Sequence, residues 1–312
     1  MLSVLPRELV RLNNTSSQKE ITKDILIFDR EQLTPIMITT DSVCDLPESL
    51  KAEFGISTCP YYVCTDQGRF LDELEMKADE FVAHLAAGKV GYSQPPDVED
   101  YEKFFAEKLT MAQNVIHITM AKHTSAGYHN AMEAAKSFSN ITVFDSGHLS
   151  SSLGLAVLYA ASMAENHATK EEIIKTLEGL RRRISSTCLI DSTHMMCQAG
   201  LVSKRIQVLC DTLLLHPVVV LRKSKITVGS IEIGGFVRVA KRYVRKMLKH
   251  TGAIDRRILF IVYAGMDEAS LAYVQKLVQQ YGPFEHVYLQ KPSAAIASNC
   301  GPRSFGLLFV RK

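Results

Sequence analysis

The sequence has no tryptophan, no CxxC pair and no apolar run near the length of a membrane span. Each absence narrows the field. Without about 18–20 consecutive apolar residues, no membrane-spanning helix is expected. Seven cysteines stand at 44, 59, 64, 188, 197, 210 and 300. The set is odd and lacks zinc-ligand spacing, so reduced thiols are expected rather than a metal site or a disulfide framework. A net charge of +3 is too small to argue for nucleic acid. HExxH, GxSxG and GxxxxGK[ST] are all missing. The ten histidines show no short-range catalytic partner. His117 lies in an apolar run and reads as a core residue, whereas His123, His129 and His148 fall near polar turns. Met1 to Val10 is too short and too charged for a secretory leader, and a cytoplasmic protein is expected.

What remains is an ordinary globular composition, 46% hydrophobic and 22% charged. A chain of 312 residues is long enough for two domains. Its most informative stretch is Asp41-Ser42-Val43-Cys44-Asp45-Leu46, which follows the apolar run Ile36-Met37-Ile38 and precedes Pro47. This reads as a buried strand ending in a polar turn that opens a helix. The design recurs. Thr119 to Tyr128 follows Val115-Ile116-His117-Ile118, and Asp145-Ser146 follows Ile141-Thr142-Val143-Phe144. In open α/β sheets, ligands bind beyond the carboxyl ends of strands, where such turns lie. Three of them point to one site built for a polar group.

The alternation of elements predicts a mostly parallel sheet with helices on both faces. The expected strands are 36–40, 61–65, 114–119 and 141–145. The expected helices are 47–54, 77–87, 98–111, 125–138 and 149–165. Gly91 to Pro96 reads as a loop, with Asp97 capping the helix that follows. A second half begins near Thr169, where Glu172 completes a capping box. Arg181-Arg182-Arg183 suits that helix's C-terminus. Strands at 217–222, 225–232, 258–263, 286–289 and 305–310, with helices at 236–250 and 267–280, suggest an α+β arrangement. The organisation expected is an extension over 1–35, a Rossmann-like α/β domain over 36–168 and an α+β domain over 169–312. Residues 1–35 suit a packed arm and a tail equally.

Hydroxyls at Ser93, Ser125 and Ser146, with Asp145, sit at loop ends. They suit helix capping and also donation to an anionic oxygen; one hydroxyl can serve both purposes. Ser150-Ser151-Ser152-Leu153-Gly154-Leu155 opens a helix with small residues. It fits an anion at the helix N-terminus and equally a tight packing contact. The 236–250 helix pairs an apolar face (Ala240, Tyr243, Val244, Met247, Leu248) with Arg238, Lys241, Arg242, Arg245, Lys246 and Lys249. That reads as a solvated face or as a dock for an acidic partner.

From about Ile36 onward the chain resembles the DegV family of bacterial fatty-acid-binding proteins, the acyl carriers of fatty acid kinase. Thr40-Asp41-Ser42-Val43-Cys44-Asp45-Leu46-Pro47 looks like its TDS-x-x-DLP opening. Ser93-Gln94-Pro95 matches its SQP loop, and Ser125 with Tyr128 its SGTYQSA turn. Asp145-Ser146 and Leu153-Gly154-Leu155 match its DS…GLG segment. Asp191, Gly200, Ser203-Lys204, Pro217, Gly229, Gly301-Pro302 and Gly306 match its second half.

The resemblance implies a two-domain α/β protein that binds a long-chain fatty acid between its domains. It implies no cofactor, no metal and no catalysis by this chain, which would present the carboxyl group to a separate kinase for phospholipid metabolism. Ser93, Ser125, Asn299 and Tyr92 would meet the carboxylate. Asp41, Ser42, Asp145 and Ser146 would shape the loops. The sequence departs from the family at three of its motif positions. Tyr92 stands for the usual threonine, Asn299 for a histidine, and Leu201 for an arginine. The first two predict a narrower or reshaped ligand mouth, and the third weighs against docking to the usual kinase. An enzyme or kinase subunit related to dihydroxyacetone kinase, using His123 or His129, is the alternative. An interaction protein without a ligand is another.

Overall fold

The computed structural model describes residues 33–198, 202–222, 224–249, 251–298, 300 and 303–312. The expected extension, up to residue 32, lies outside them, as do Leu201 and Asn299.

The first half runs β1 (Thr34–Asp41), a 3₁₀ turn (Ser42–Cys44), α1 (Glu48–Glu53), β2 (Ser57–Cys59), β3 (Tyr62–Thr65), β4 (Gly68–Leu71), α2 (Ala78–Ala86), β5 (Gly91–Gln94), α3 (Val98–Lys108), β6 (Ala112–Thr119), α4 (Gly127–Ala135), β7 (Ile141–Asp145) and α5 (Ser151–Glu165). The rest runs α6 (Lys170–Arg183), β8 (Ile184–Leu189), α7 (His194–Gln198), α8 (Lys204–Thr212), β9 (Leu215–Arg222), β10 (Lys225–Ile233), α9 (Phe236–Leu248), β11 (Ile254–Ala264), α10 (Glu268–Tyr281), β12 (His286–Gln290), α11 (Ala294–Ala297) and β13 (Ser304–Arg311).

Four strands form a fully parallel sheet in the order β2-β1-β6-β7. Its central strand β6 carries Val115, Ile116 and Ile118, all buried. A near-continuous apolar run is what a strand covered on both faces requires. The carboxyl ends of β1, β6 and β7 lead into the three polar turns, as the sequence predicts. The fold class is thus the expected mixed α/β one, with a second sheet after it.

That second sheet has six strands in the order β10-β9-β8-β13-β11-β12. All its pairings are antiparallel except β11 with β12. Helices α9 and α10 cover one face through Val239, Tyr243, Val244, Val274 and Leu277. The cations of α9 are exposed, and Arg242 pairs with Glu232 at 2.9 Å. Helix α5 packs against β1 and β6 and also against β8 and β13. It has no polar face, because Leu153, Leu155, Ala156, Val157, Leu158, Ala160 and Ala161 are all buried; a helix apolar all round belongs in an interior.

The predicted caps are present. The Glu172 N–H donates to Thr169 Oγ1 at 3.3 Å, and the Thr169 N–H donates to Glu172 Oε2 at 2.8 Å. Asp97 Oδ1 accepts the Asp100 N–H at 2.9 Å. Each such cap is worth about 1 kcal/mol.

One local reading changes. Gly91 to Gln94 is a strand, β5, and not part of a loop. It pairs antiparallel with β3, which also pairs with β4, giving a small third sheet. Tyr92 and Ser93 therefore point to opposite faces.

Candidate functional site

A cavity of about 280 Å³ lies between the loops of the first sheet and the strands of the second. Ligand clefts run from about 300 Å³ upward, so this one is small. The loops contribute Val43, Tyr61, Met120, Thr124, Leu149 and Ser150, and strand β5 contributes Ser93. Strands β8, β9, β10, β11 and β13 contribute Ser186, Thr187, Cys188, Val219, Val220, Leu221, Ile226, Val262, Gly306 and Leu308. Ile190, Met196, Ala295, Ile296 and Cys300 complete the described lining. None of these residues carries a charge. An anionic head group here would have to be met by hydroxyl donors, with the apolar strands left for a hydrocarbon chain.

Most lining hydroxyls are already committed. Thr124 Oγ1 donates to the Ala121 carbonyl at 2.7 Å. Ser150 Oγ donates to Asp45 Oδ2. Thr187 Oγ1 lies 2.7 Å from the Tyr243 hydroxyl. Ser93 Oγ, in contrast, makes no hydrogen bond among the described residues. Ser186 Oγ accepts the Ser152 hydroxyl at 3.2 Å, so its own O–H, like that of Ser93, is open to a ligand.

Ser125 is not in the lining. Its Oγ stands 2.8 Å from the hydroxyl of Tyr61, which is, and accepts the Gly127 N–H at 3.1 Å. It therefore lies one hydrogen bond behind the cavity surface. Burial, with Asp41 nearby, holds the Tyr61 phenol well above its usual pKa, so it stays a neutral hydroxyl. Tyr92 is 60% exposed and lies on the face of β5 opposite Ser93. It is not among the described lining residues of the cavity. Asn299 falls outside the described residues; its neighbours Ser298 and Cys300 are described, and Cys300 lines the wall.

Asp41 is fully buried and accepts three bonds: from the Tyr101 hydroxyl at 2.7 Å, from the Met120 N–H at 2.8 Å, and at 3.3 Å from His117 Nε2. His117 Nδ1 stands 3.0 Å from Thr39 Oγ1, which makes His117 the core histidine expected. Ser42 Oγ donates to Asp72 Oδ2 at 2.9 Å and accepts the Tyr61 N–H at 3.0 Å. Asp145 Oδ1 accepts the N–H groups of Lys122 and Gly147 at 3.2 and 2.9 Å. Ser146 Oγ closes a turn onto His148. Asp41, Ser42, Asp145 and Ser146 are thus spent on holding loops together, and none lines the cavity.

His123 and His129 are exposed and are not lining residues. His148 is buried, and burial pushes its imidazole down to about 4. All seven cysteines are free. Burial pushes Cys300 up to about 12 and raises Cys188 well above the usual thiol value. Both thiols therefore remain protonated and act as uncharged wall, not as nucleophiles. Among the described residues no group of acids, histidines and cysteines is arranged to hold a metal, and no helix is long and apolar enough to cross a membrane.

Sequence reading missed Thr124, Ser186, Thr187 and Cys188 as lining groups. Thr124 adjoins Ser125 and was within reach. The β8 residues had no local signal, because they meet the cavity only through strand pairing.

The sequence profile of a family described as uncharacterised proteins of the DegV family matches residues 35–312. A DegV domain-containing protein of Caldanaerobacter subterraneus is 26% identical over 284 residues, covering 89% of this chain and 99% of that relative. Among solved structures, a DegV family protein from Thermus thermophilus described for its fatty acid binding superposes with a TM-score of 0.79 at 25% identity, covering 89% of this chain and 100% of that one. A DegV family protein from Eubacterium eligens loaded with heptadecanoic acid has a TM-score of 0.75 at 18% identity, with 89% and 100% covered. The second likeness bears on the fold.

Proposed function

We propose that this chain, which belongs to the DegV family, holds one long-chain fatty acid in the cavity and presents its carboxylate to a partner acyl kinase. The observation that carries the reading is the uncommitted Ser93 hydroxyl in a cavity whose described lining is uncharged and whose apolar wall comes from the second sheet. A carboxylate taken out of water needs donors. Ser93 supplies one directly, Ser125 another through Tyr61, and Asn299 a third. Each methylene buried against Val219, Leu221, Ile226 and Leu308 contributes about 0.8 kcal/mol. The head-group loops belong to residues 36–168 and most of the acyl wall to residues 169–312.

In this reading the chain is a cytoplasmic carrier and performs no catalysis. The thiols at the wall are protonated, and His123 and His129 are exposed and absent from the described lining. Leu201 stands where the family carries an arginine, which weighs against docking to the usual kinase.

The test is calorimetric titration of the full chain with palmitate. Stoichiometric binding, weakened about tenfold or more by Ser93→Ala, is expected, since a hydrogen bond to a charged group is worth about 1.5–3 kcal/mol. Absence of binding by the unaltered chain would overturn the reading.

A further inference from the structure

Behind the cavity wall lie two carboxyl groups with no cationic partner. Asp45 and Asp72 are 4% and 1% exposed, and neither has an ion pair among the described residues. Asp45 Oδ1 accepts the Ser293 N–H at 2.8 Å, and its Oδ2 accepts the Ser150 hydroxyl. Asp72 Oδ1 accepts the Ala295 N–H at 3.3 Å. Glu73 Oε1 accepts the Ala294 N–H at 3.0 Å. Three successive amides at the start of α11 are therefore held by carboxyls from elsewhere in the chain. The segment they hold supplies Ala295, Ile296 and Cys300 to the cavity, and Ser150 on the other side of Asp45 lines it too.

We propose that Asp45 and Asp72 are positioning residues that latch the start of α11, residues 293–298, against the cavity, and that through them closure of this wall and uptake of an anionic ligand are coupled to proton binding. Burial raises Asp45 from 3.8 to about 7 and Asp72 to about 6. The charged and titratable surroundings do not offset this. Glu73 adjoins Asp72 and raises it further. Cys44 and Cys300 feel the Asp45 charge and are themselves held neutral. Lys51 acts on Cys44, Lys77 donates to the Glu73 carbonyl, and the Lys291–Asp79 pair at 2.8 Å is solvent-facing, where screening leaves it weak.

The sign follows. The bonds from Ser150, Ser293 and Ala295 favour the ionised carboxyls, but burial outweighs them; opening that admits water to the carboxyls removes the larger effect, so the latched state binds more protons and closure weakens as pH rises towards the latched values. A ligand carboxylate placed in the cavity beside Ser150 repels an ionised Asp45 and draws a further proton onto it.

Hydrogen exchange of the full chain tests the latch. Protection factors of the 293–298 amides are expected to be at least about tenfold higher near pH 5.5 than near pH 8, since one pH unit changes such an equilibrium up to about tenfold per group. Asp45→Asn should keep the low-pH protection and lose most of the pH dependence, and Asp72→Asn should remove part of the rest. Protection in the unaltered chain that does not vary with pH, or varies equally in the double variant, would overturn the latch. The coupling arm rests on the fatty-acid reading of the site. It titrates palmitate at neutral pH in two buffers of different ionisation enthalpy. Net proton uptake by the unaltered chain, lost in Asp45→Asn, supports the coupling. Uptake unchanged in the variant puts the proton on the ligand and overturns it. Failure of the unaltered chain to bind palmitate overturns the coupling and the fatty-acid reading together, while exchange alone decides the latch.

Discussion

A Cβ added at Gly154 would stand 2.6 Å from the Cys44 carbonyl oxygen and 2.7 Å from Leu46 Cδ2. The first turns of α5 are pressed directly onto the Asp41–Leu46 turn. Of the two readings open to the small residues at 150–155, Gly154 takes the packing one. Gly154→Ala gains about 1 kcal/mol in helix propensity but overpacks against backbone, which costs about 1–3 kcal/mol. The variant is expected to be destabilised or at best unchanged, measured by urea unfolding. A clear rise in stability would contradict the contact.

Asp41 ties three elements together by bonds to Tyr101, Met120 and His117. Asp41→Ala leaves those buried donors unmatched, and a loss of about 3–5 kcal/mol is expected in the same assay. Because the residue does not touch the cavity, any loss of palmitate affinity should vanish under conditions where the variant is fully folded.

Ser93 and Tyr92 are neighbours in sequence on opposite faces of β5. Tyr92→Ala should leave palmitate affinity within about twofold and stability within about 0.5 kcal/mol, as for an exposed side chain, whereas Ser93→Ala lowers affinity. Calorimetry on the pair separates the two faces; equal losses would place Tyr92 at the ligand after all.

Stability should also respond to pH through Asp45. Its folded pKa of about 7 stands above the ordinary 3.8, so between those values the native state binds more protons than the unfolded one. Stability from this group is therefore greatest at acid pH and falls as pH rises, approaching about 1.4 kcal/mol per unit. His148 opposes it. Its folded value of about 4 lies below 6.5, so its contribution rises with pH over that window. Comparing the chain with Asp45→Asn isolates the first effect. The stability difference, unaltered minus variant, should fall between about pH 5 and pH 7. A difference constant with pH would contradict the burial of an uncharged Asp45.

The three polar turns and the parallel sheet were legible because each strand ends where an apolar run meets Asp or Ser. Asp97, Thr169 and Glu172 announced their caps by local spacing alone. β5 was not legible. Gly91 and Pro95 bracket it like a loop, and only pairing with β3 makes it a strand and sets Ser93 apart from Tyr92. β8 reads Ile184-Ser185-Ser186-Thr187-Cys188-Leu189, too polar for a central strand until β9 and β13 pair with it. α8 turns Ile206, Val208 and Leu209 outward while Gln207 and Cys210 are buried, the reverse of the usual pattern. The bonds from Asp45 and Asp72 to residues 293 and 295 span more than two hundred positions, which no spacing rule reaches.

Native mass spectrometry of the full chain, as purified from cells and again after incubation with palmitate, bears most directly on the fatty-acid reading. The expected result is one long-chain acyl species per chain, with lower occupancy in Ser93→Ala. A spectrum showing only the bare chain in both conditions would contradict it.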